Sequence, residues 1–203
     1  MRDAIHALKY QALLPAARPL GRFLAGAITH LAGDLPAGAL VIPVPLHRSK
    51  FSQRGFNQAR LLAGHAVSVL RKTRPAWRLE LVAGAVVRLK GTESQAGLTP
   101  RQRRQNVRAA FVVPDPQIIA GRNVVVVDDI LTTGATVRSV ARALLRAGAA
   151  NVWVATLSRA QLGSDHAGNP AQVYSEKGLV ERPRTRGEHS AIGREMEDNQ
   201  PSF

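Results

Sequence analysis

Two adjacent acids and a hydroxyl-rich turn share one short stretch of the chain, "VVVVDDILTTGAT", at residues 124–136. The four consecutive valines predict a strand over residues 123–127 that is buried on both faces, as in the middle of a parallel sheet. Ligands of such sheets bind at the carboxyl ends of the strands. Asp128 and Asp129 follow the predicted strand directly, so we expect them at a binding edge.

The helix predicted after this turn makes the turn a candidate anion site. Residues 136–147 place apolar side chains at helical spacing, and these form one buried stripe: Val137, Val140, Ala141, Leu144 and Leu145. The N-terminus of the helix then meets the turn, where Gly134 lets backbone N–H groups converge. This arrangement predicts a cradle for one phosphate group.

The two acids have the wrong charge to hold that phosphate, so they must serve another group. Carboxylates accept hydrogen bonds from hydroxyls or bind cations. A diol about one sugar length from a phosphate satisfies both halves of the stretch, which predicts a ribose 5-phosphate ligand. The structural alternative is an acidic pair beside a threonine-rich turn that caps the helix. Neither a GxGxxG string nor a Walker A string occurs in the chain.

The elements around this stretch alternate between strand and helix, which predicts an α/β fold with a parallel central sheet flanked by helices. Helical periodicity predicts an N-terminal helical part, residues 1–35, before the strand "ALVIPVP" and a helix capped by Asn57. Further strands are predicted in "LELVAGAVVRLK", "AAFVV" and "NVWVATL". One domain is expected over residues 1–159. Residues 160–203 lack a sustained period and are expected to form a mostly disordered tail.

The composition excludes several kinds of site. The 203 residues contain no cysteine, which excludes disulfides, cysteine-ligated zinc and a cysteine nucleophile in this chain. No apolar run approaches the roughly 20 residues of a membrane span, and no signal peptide is recognised. A cytoplasmic protein without membrane insertion is therefore expected. Residues 1–159 hold 23 basic and 7 acidic residues, and this charge of +16 suits phosphate-rich ligands, small or polymeric.

Four strings between about His6 and Arg159 form a combined pattern: "ALKY", "VIPVPLHRSKFSQRGFNQA", "RLKGTESQAGL" with "RRQN", and the stretch at residues 124–136. Together they resemble the ComF family of the phosphoribosyltransferase superfamily. The resemblance implies a type I phosphoribosyltransferase fold. It also implies binding of phosphoribosyl pyrophosphate and of Mg²⁺, with the metal held through the ligand and not directly by the protein. A role in competence, the uptake of DNA, is implied as well.

The resemblance places the pyrophosphate of that ligand on a proline loop and two arginines. The expected contacts are Pro43, Val44, Pro45, Arg54 and Arg88. A strand terminator is the structural alternative for the proline string.

The long polar segment 90–106 resembles the flexible catalytic loop of the family, which would close over the site and exclude water. Lys90 and Arg103 are its expected catalytic residues, together with Asp128 and Asp129, which would hold the ribose hydroxyls. A solvated basic helix is the alternative for this segment. The 5-phosphate is expected on the turn, at Thr132, Thr133, Gly134, Ala135 and Thr136.

The chain departs from the family pattern at both ends. Family members commonly begin with a Cys-rich zinc ribbon, which this sequence lacks, so that a truncated start or a shorter family form is expected. The segment after Arg159 matches nothing in the family. The predicted activity is phosphoribosyl transfer to an acceptor that the sequence does not identify. The alternatives are a non-catalytic sensor of the same ligand and an accessory protein that binds single-stranded DNA, with DNA-uptake or recombination proteins as partners.

Overall fold

The structure, a computed structural model, describes residues 2–31, 35, 38–89, 110–159, 171–175 and 178–180. The helices of these residues are α1 (Arg2–Tyr10), α2 (Ala17–Thr29), α3 (Arg48–Arg54), α4 (Gln58–Thr73) and α5 (Ala135–Arg146). The strands are β1 (Gly38–Pro43), β2 (Arg78–Leu81), β3 (Val87–Arg88), β4 (Phe111–Val112), β5 (Asn123–Leu131), β6 (Asn151–Arg159), β7 (Ala171–Ser175) and β8 (Gly178–Val180). Short 3-10 turns lie at Leu14–Ala16 and Pro116–Ile118.

Six of these strands form one sheet in the order β2-β1-β5-β6-β7-β8. The first four run parallel, with Val41 opposite Val125 and Val125 opposite Trp153. The strands β7 and β8 join the edge of the sheet in antiparallel orientation. A separate antiparallel pair is formed by β3 and β4. The predicted α/β fold with a parallel central sheet is therefore confirmed.

The valines of β5 divide the core into two layers because neighbouring side chains of a strand point to opposite faces. Val125 and Val127 pack in the cluster that holds the apolar side chains of α1, α2 and α4. Val124 and Val126 pack in the cluster that holds those of α5 and β4. All four side chains are fully buried, as the sequence predicts for the central strand.

Helices α2 and α4 cross so closely that one position requires glycine. A Cβ atom built at Gly21 would collide with the Cβ atom of His65. At the start of α4, Asn57 accepts a hydrogen bond from the backbone N–H of Arg60 at 3.2 Å, which confirms the predicted cap. Asn57 Nδ2 also donates to the Val44 carbonyl at 3.0 Å, which holds the first turn of α4 beside the end of β1.

Two local features differ from the sequence-based expectation. The string "LELVAGAVVRLK" forms two strands, β2 and β3, because Gly84 between them adopts a left-handed φ of 98° and directs β3 out of the main sheet. Within residues 160–203, the described parts include the strands β7 and β8, for which the sequence pattern gave no indication. None of the helices in the described residues has the length and apolar character needed to cross a membrane.

Candidate functional site

Both acids lie within the last part of β5. The strand continues four residues beyond its predicted end because β6 pairs with it as far as Leu131 and Arg159. Side chains alternate along the strand, so Asp128 lies on the face of the sheet that Val126 shares with α5. Asp129 lies on the opposite face, which packs against α1 and α2. The two carboxylates are therefore not equivalent, although they are adjacent in sequence.

Asp129 is paired with a cation of the N-terminal helix. The Lys9 ammonium nitrogen lies 2.8 Å from Asp129 Oδ2, and the two side chains are only 18% and 6% exposed. Oδ2 accepts no well-directed hydrogen bond from the described residues, so the contact is an ion pair. Removal of one partner from a buried pair leaves an uncompensated charge, which is strongly destabilising. Asp129 is thus held against α1.

Asp128 has an environment that makes its ionisation responsive near neutral pH. Burial raises the pKa of Asp128 from 3.8 to about 7, and the neighbouring carboxylate of Asp129 adds to the rise. The backbone N–H of Asp129, which donates to Asp128 Oδ1 at 2.9 Å, and the charge of Lys9 oppose it. Perturbed groups of this kind concentrate at functional sites. Near pH 7, Asp128 can either donate or accept a hydrogen bond.

The turn after β5 has the backbone conformation that a phosphate cradle requires. Gly134 is buried with a left-handed φ of 71°, and α5 begins at the next residue, Ala135. The first amides of a helix have no acceptor within that helix, and the helix dipole favours an anion beside them. The side chains of Thr132, Thr133 and Thr136 are exposed around this end. The structure therefore brings the predicted 5-phosphate residues together at one helix N-terminus.

The proline loop lies beside the acids. The register places Pro43 opposite Val127, and the Val44 amide donates to the Val127 carbonyl at 2.9 Å. From the other side, Asn57 Nδ2 donates to the Val44 carbonyl at 3.0 Å. The loop is thus fixed between β5 and the start of α4, one residue from Asp128.

The two predicted pyrophosphate arginines occupy different places. The Arg54 guanidinium lies over the Tyr10 ring at 5.0 Å, at the end of α1 where Lys9 meets the acids. The Arg88 guanidinium lies over the Phe111 ring at 5.4 Å, on the β3–β4 pair. The structure therefore associates Arg54 with the helix that contacts Asp129. It gives Arg88 no described contact with the acids or the turn.

Two of the predicted catalytic residues, Lys90 and Arg103, lie outside the described residues. The described chain ends before this segment at Leu89 and resumes at Ala110, and the Leu89 amide donates to the Ala110 carbonyl at 2.9 Å. The described residues on either side of the segment, Leu89 and Ala110, are therefore joined beside the β3–β4 pair.

An open cleft of about 850 Å³ adjoins the proline loop on the side away from β5. The loop contributes Pro43, Pro45 and Leu46, α3 contributes Phe51, and the link between α3 and α4 contributes Phe56. The far wall consists of residues around Gly84, beyond the end of β2. The cleft gives a ligand room at the carboxyl ends of β1 and β2, with the proline loop between it and the acids of β5.

These residues fit a metal ion only when a ligand shares it. In the described part of the chain, no group of three His, Cys, Asp or Glu side chains comes together that could hold a metal ion. Asp129 is already paired with Lys9, which leaves Asp128 as the carboxylate at the turn. Mg²⁺ commonly binds one or two carboxylates together with substrate phosphates. The donor set therefore fits Mg²⁺ held mainly by the phosphates of a ligand.

Three residues with defined contacts in the site were not given roles from the sequence. Lys9 and Tyr10 belong to the string "ALKY", which was part of the recognised pattern, so an indication of their importance was present. Arg138 donates from Nη2 to the Thr133 carbonyl at 2.6 Å and so holds the turn from one helical turn away. Its position four residues after Gly134 was the available indication, since such residues share one face of a helix.

A family model matches the part of the chain that carries this geometry. The family model described as "Phosphoribosyl transferase domain" matches residues 58–177, a range that includes the acids, the turn and β7. In solved structures, a glutamine phosphoribosylpyrophosphate amidotransferase from B. subtilis, complexed with ADP and GMP, aligns with 70% of this chain and 27% of its own, at 21% identity and a TM-score of 0.42. Hypoxanthine-guanine phosphoribosyltransferase from Schistosoma mansoni aligns with 70% and 55%, at 15% identity and a TM-score of 0.36. Likeness at this distance says nothing about the site.

Proteins found by sequence similarity are more similar to this chain than these solved structures are. The DNA utilization protein YhgH of Escherichia coli O157:H7 is 37% identical over 157 residues, which make up 76% of this chain and 65% of that protein. Competence protein F of Haemophilus influenzae is 34% identical over 121 residues, which make up 59% and 50%. This chain thus spans about two thirds or less of the length of these relatives. Since the domain model covers more than half of the chain and the sequence is similar to these DNA utilization and competence proteins, the protein belongs to the ComF family of the phosphoribosyltransferase superfamily.

Proposed function

We propose that the protein binds phosphoribosyl pyrophosphate with Mg²⁺ and transfers the phosphoribosyl group to an acceptor. One observation supports this most directly. The acid Asp128, the left-handed turn at Gly134 and the proline loop at Val44 lie at the ends of two adjacent parallel strands. This is the arrangement that a sugar with phosphate groups at both ends requires.

In this proposal the 5-phosphate accepts hydrogen bonds from the first amides of α5 and from the threonines of the turn. Hydrogen bonds to a charged oxygen contribute roughly 1.5–3 kcal/mol each, and the helix dipole adds about 0.3–2 kcal/mol. The ribose hydroxyls then lie over the end of β5, where Asp128 meets them. The Thr133 carbonyl accepts a hydrogen bond from Arg138 Nη2, which supports the shape of the turn without using its backbone N–H groups.

The proposed reaction breaks the bond between ribose C1 and the pyrophosphate oxygen, and the electron pair leaves with pyrophosphate. The acceptor supplies the new bond to C1 from the opposite side. Mg²⁺ would neutralise charge that develops on the leaving pyrophosphate. Because the proline loop and the cleft lie on the β1 and β2 side of β5, the leaving group departs toward them. The acceptor therefore approaches C1 from the side opposite the proline loop.

Calorimetric titration with phosphoribosyl pyrophosphate and Mg²⁺ tests the proposal. The wild-type protein should bind, and Asp128→Asn should weaken binding about tenfold, because a neutral amide replaces a carboxylate at the hydroxyls. Glu80→Gln is a matched control, since it also removes one negative charge from a strand of the same sheet, but at a side chain 62% exposed. Equal affinity in Asp128→Asn and Glu80→Gln would reject the assignment of the ribose acid.

Release of pyrophosphate separates an enzyme from a sensor. A panel of nucleobases and amines should include at least one compound that makes wild-type protein liberate pyrophosphate. Tight ligand binding without release for any of them would favour the non-catalytic alternative. Asp128→Asn should reduce both the binding and the release.

A second candidate function, binding of single-stranded nucleic acid, is favoured by a separate basic surface. A cavity of about 310 Å³ lies between α2 and α4, lined in part by Arg18, Arg22, His65 and Lys72. These two helices contain no Asp or Glu, and the three Arg and Lys side chains have no ion pair with the described residues. Uncompensated positive charge in a concave surface attracts phosphates. The names of the relatives, DNA utilization and competence proteins, agree with this candidate.

Fluorescence anisotropy with a labelled oligothymidylate tests the second candidate. Affinity should fall steeply between ~50 and ~200 mM salt if phosphates are bound. The combined change of Arg18, Arg22 and Lys72 to Gln should weaken binding and reduce the salt slope by about 2. A triple change with the same loss of charge elsewhere is the control, at three exposed arginines: Arg78, Arg142 and Arg146. Equal effects of the two triple changes would mean attraction by net charge alone.

A further inference from the structure

The last turn of α1 contacts both halves of the proposed site. Lys9 reaches Asp129, with 2.8 Å between the ammonium nitrogen and Oδ2, while the ring of Tyr10 lies 5.0 Å from the guanidinium carbon of Arg54. We infer that Lys9 and Tyr10 are positioning residues, which set the end of β5, with its ribose acid Asp128, and the pyrophosphate arginine Arg54 relative to each other. This inference rests on the proposed function and goes beyond it, because it makes α1 part of the binding site.

Lys9 restricts the orientation of the Asp129 side chain through their ion pair. The Asp129 side chain is 6% exposed and that of Lys9 is 18% exposed, and Asp129 Oδ2 has no other described partner. A buried carboxylate that loses its only cation is strongly destabilised, so the pair stays formed when a ligand binds. Asp129 therefore serves as the anchor of α1 on β5, and Asp128 remains as the acid that meets the ribose hydroxyls.

Tyr10 has a position that core packing does not explain. It is 65% exposed, unlike the apolar residues Ile5 and Leu8 of the same helix, which are fully buried. Its ring lies between two partners: the His6 ring at a centroid distance of 4.5 Å and the Arg54 guanidinium. An arginine over an aromatic face is attracted by the ring electrons. The ring thus restricts Arg54, for which the described residues provide no carboxylate partner.

Two consecutive residues of one helix thereby contact segments that are far apart in the chain. Side chains at neighbouring helix positions diverge by about 100°. The end of α1 therefore lies between the end of α3, which Tyr10 contacts, and the end of β5, which Lys9 contacts. The distance from the ribose acid to the pyrophosphate arginine then depends on α1. Disturbing either contact should lower affinity for a ligand that spans both halves more than for a ligand that occupies one.

Substitutions at Tyr10 test this without unfolding the protein, because the ring is mostly exposed. In calorimetric titration of the full chain with phosphoribosyl pyrophosphate and Mg²⁺, Tyr10→Ala should bind about two- to fivefold more weakly than wild type. Tyr10→Phe keeps the aromatic face and should restore the affinity. Phe23→Ala, at another aromatic side chain, 62% exposed and on α2, should leave affinity unchanged. All three proteins should melt within about 2 °C of wild type.

The Lys9 contact needs a second comparison, because Lys9→Met is expected to lower stability by leaving Asp129 unpaired. The double change Lys9→Met, Asp129→Asn removes both charges and should restore most of the stability. Its affinity for phosphoribosyl pyrophosphate should stay at least threefold below that of wild type, since α1 has lost its anchor. Titration with inorganic pyrophosphate should show a smaller loss than titration with the full ligand.

The outcomes separate this inference from the function beneath it. A wild-type protein that does not bind phosphoribosyl pyrophosphate would overturn the proposed function and the inference together. Binding in wild type with equal affinity in Tyr10→Ala and in the double variant would overturn the inference alone. Weaker binding in Tyr10→Ala, recovered in Tyr10→Phe, would support it.

Discussion

Replacement of Asp128 by Asn should stabilise the fold at alkaline pH while it weakens ligand binding. Burial raises the pKa of the Asp128 carboxyl from 3.8 to about 7. Below pH 3.8 the group is protonated in both the folded and the unfolded chain and does not make the free energy of unfolding depend on pH. Between pH 3.8 and about 7 the folded chain keeps a proton that the unfolded chain has lost, so stability falls as pH rises through this window.

The size of the effect follows from the shift. A rise of about 3 pH units, at 1.36 kcal/mol per unit, gives an upper limit of roughly 4 kcal/mol above pH 7. The side chain is only partly buried, so solvent screens part of this. We expect Asp128→Asn to gain about 2 kcal/mol at about pH 8 and close to nothing at about pH 4. For a chain of this size, that corresponds to a rise of roughly 4–8 °C in the melting temperature at the higher pH.

Urea unfolding followed by circular dichroism at several pH values measures the gain directly. Asn can still accept the backbone hydrogen bond that Asp128 Oδ1 receives from the Asp129 amide, so the local geometry is preserved. Glu80→Gln, at an exposed acid, should change stability by less than about 0.5 kcal/mol at every pH. If Asp128→Asn were less stable than wild type at about pH 8, or if its gain did not depend on pH, the assigned burial and coupling of this carboxylate would be wrong.

Three further substitutions have consequences that the structure specifies. Gly134→Ala should lower affinity for phosphoribosyl pyrophosphate about tenfold in calorimetry. The reason is that φ is +71° at this residue and a Cβ would lie 2.8 Å from Arg138 Nη1. Unchanged affinity would show that the turn does not hold the ligand. Gly21→Ala should destabilise the fold by about 1–3 kcal/mol in urea unfolding because its Cβ would collide with His65, and Gly26→Ala, where a Cβ meets nothing, is the matched control. Asn57→Ala should cost about 1–2 kcal/mol in the same assay because α4 loses its cap and the proline loop loses an anchor; a loss no greater than that of a surface residue would contradict both contacts.

The sequence predicted the features that depend on local periodicity. Four adjacent valines require a strand with both faces covered, and the structure places Val124 to Val127 in two different core layers. The stripe of α5 and the glycine before it likewise follow from spacing and from backbone sterics. Such features need no knowledge of distant segments, because each residue type restricts its own backbone or its own face.

The features that the sequence left open depend on contacts between distant segments. Nothing local to Asp129 indicates that a lysine about 120 positions earlier in the chain neutralises it. The valine pattern predicts an end of β5 four residues before the observed one, since the extension of the strand depends on pairing with β6. The split of "LELVAGAVVRLK" depends on β4, because β3 leaves the main sheet to pair with that strand. The roles predicted for Lys90 and Arg103 concern a segment outside the described residues and stay predictions.

The pleat of the strand gives the two adjacent acids different environments. Neighbouring side chains diverge, so a motif of two acids delivers one carboxylate to each face of the sheet. On one face Asp129 binds the Lys9 ammonium and so fastens α1 to the central strand. On the other, Asp128 is left in the field of a neighbouring negative charge, and its pKa is raised for that reason as well as by burial. Asp129, which stabilises the N-terminal helix, therefore disfavours ionisation of Asp128. A ligand that offers hydroxyl groups or a shared cation to Asp128 stabilises the ionised carboxylate.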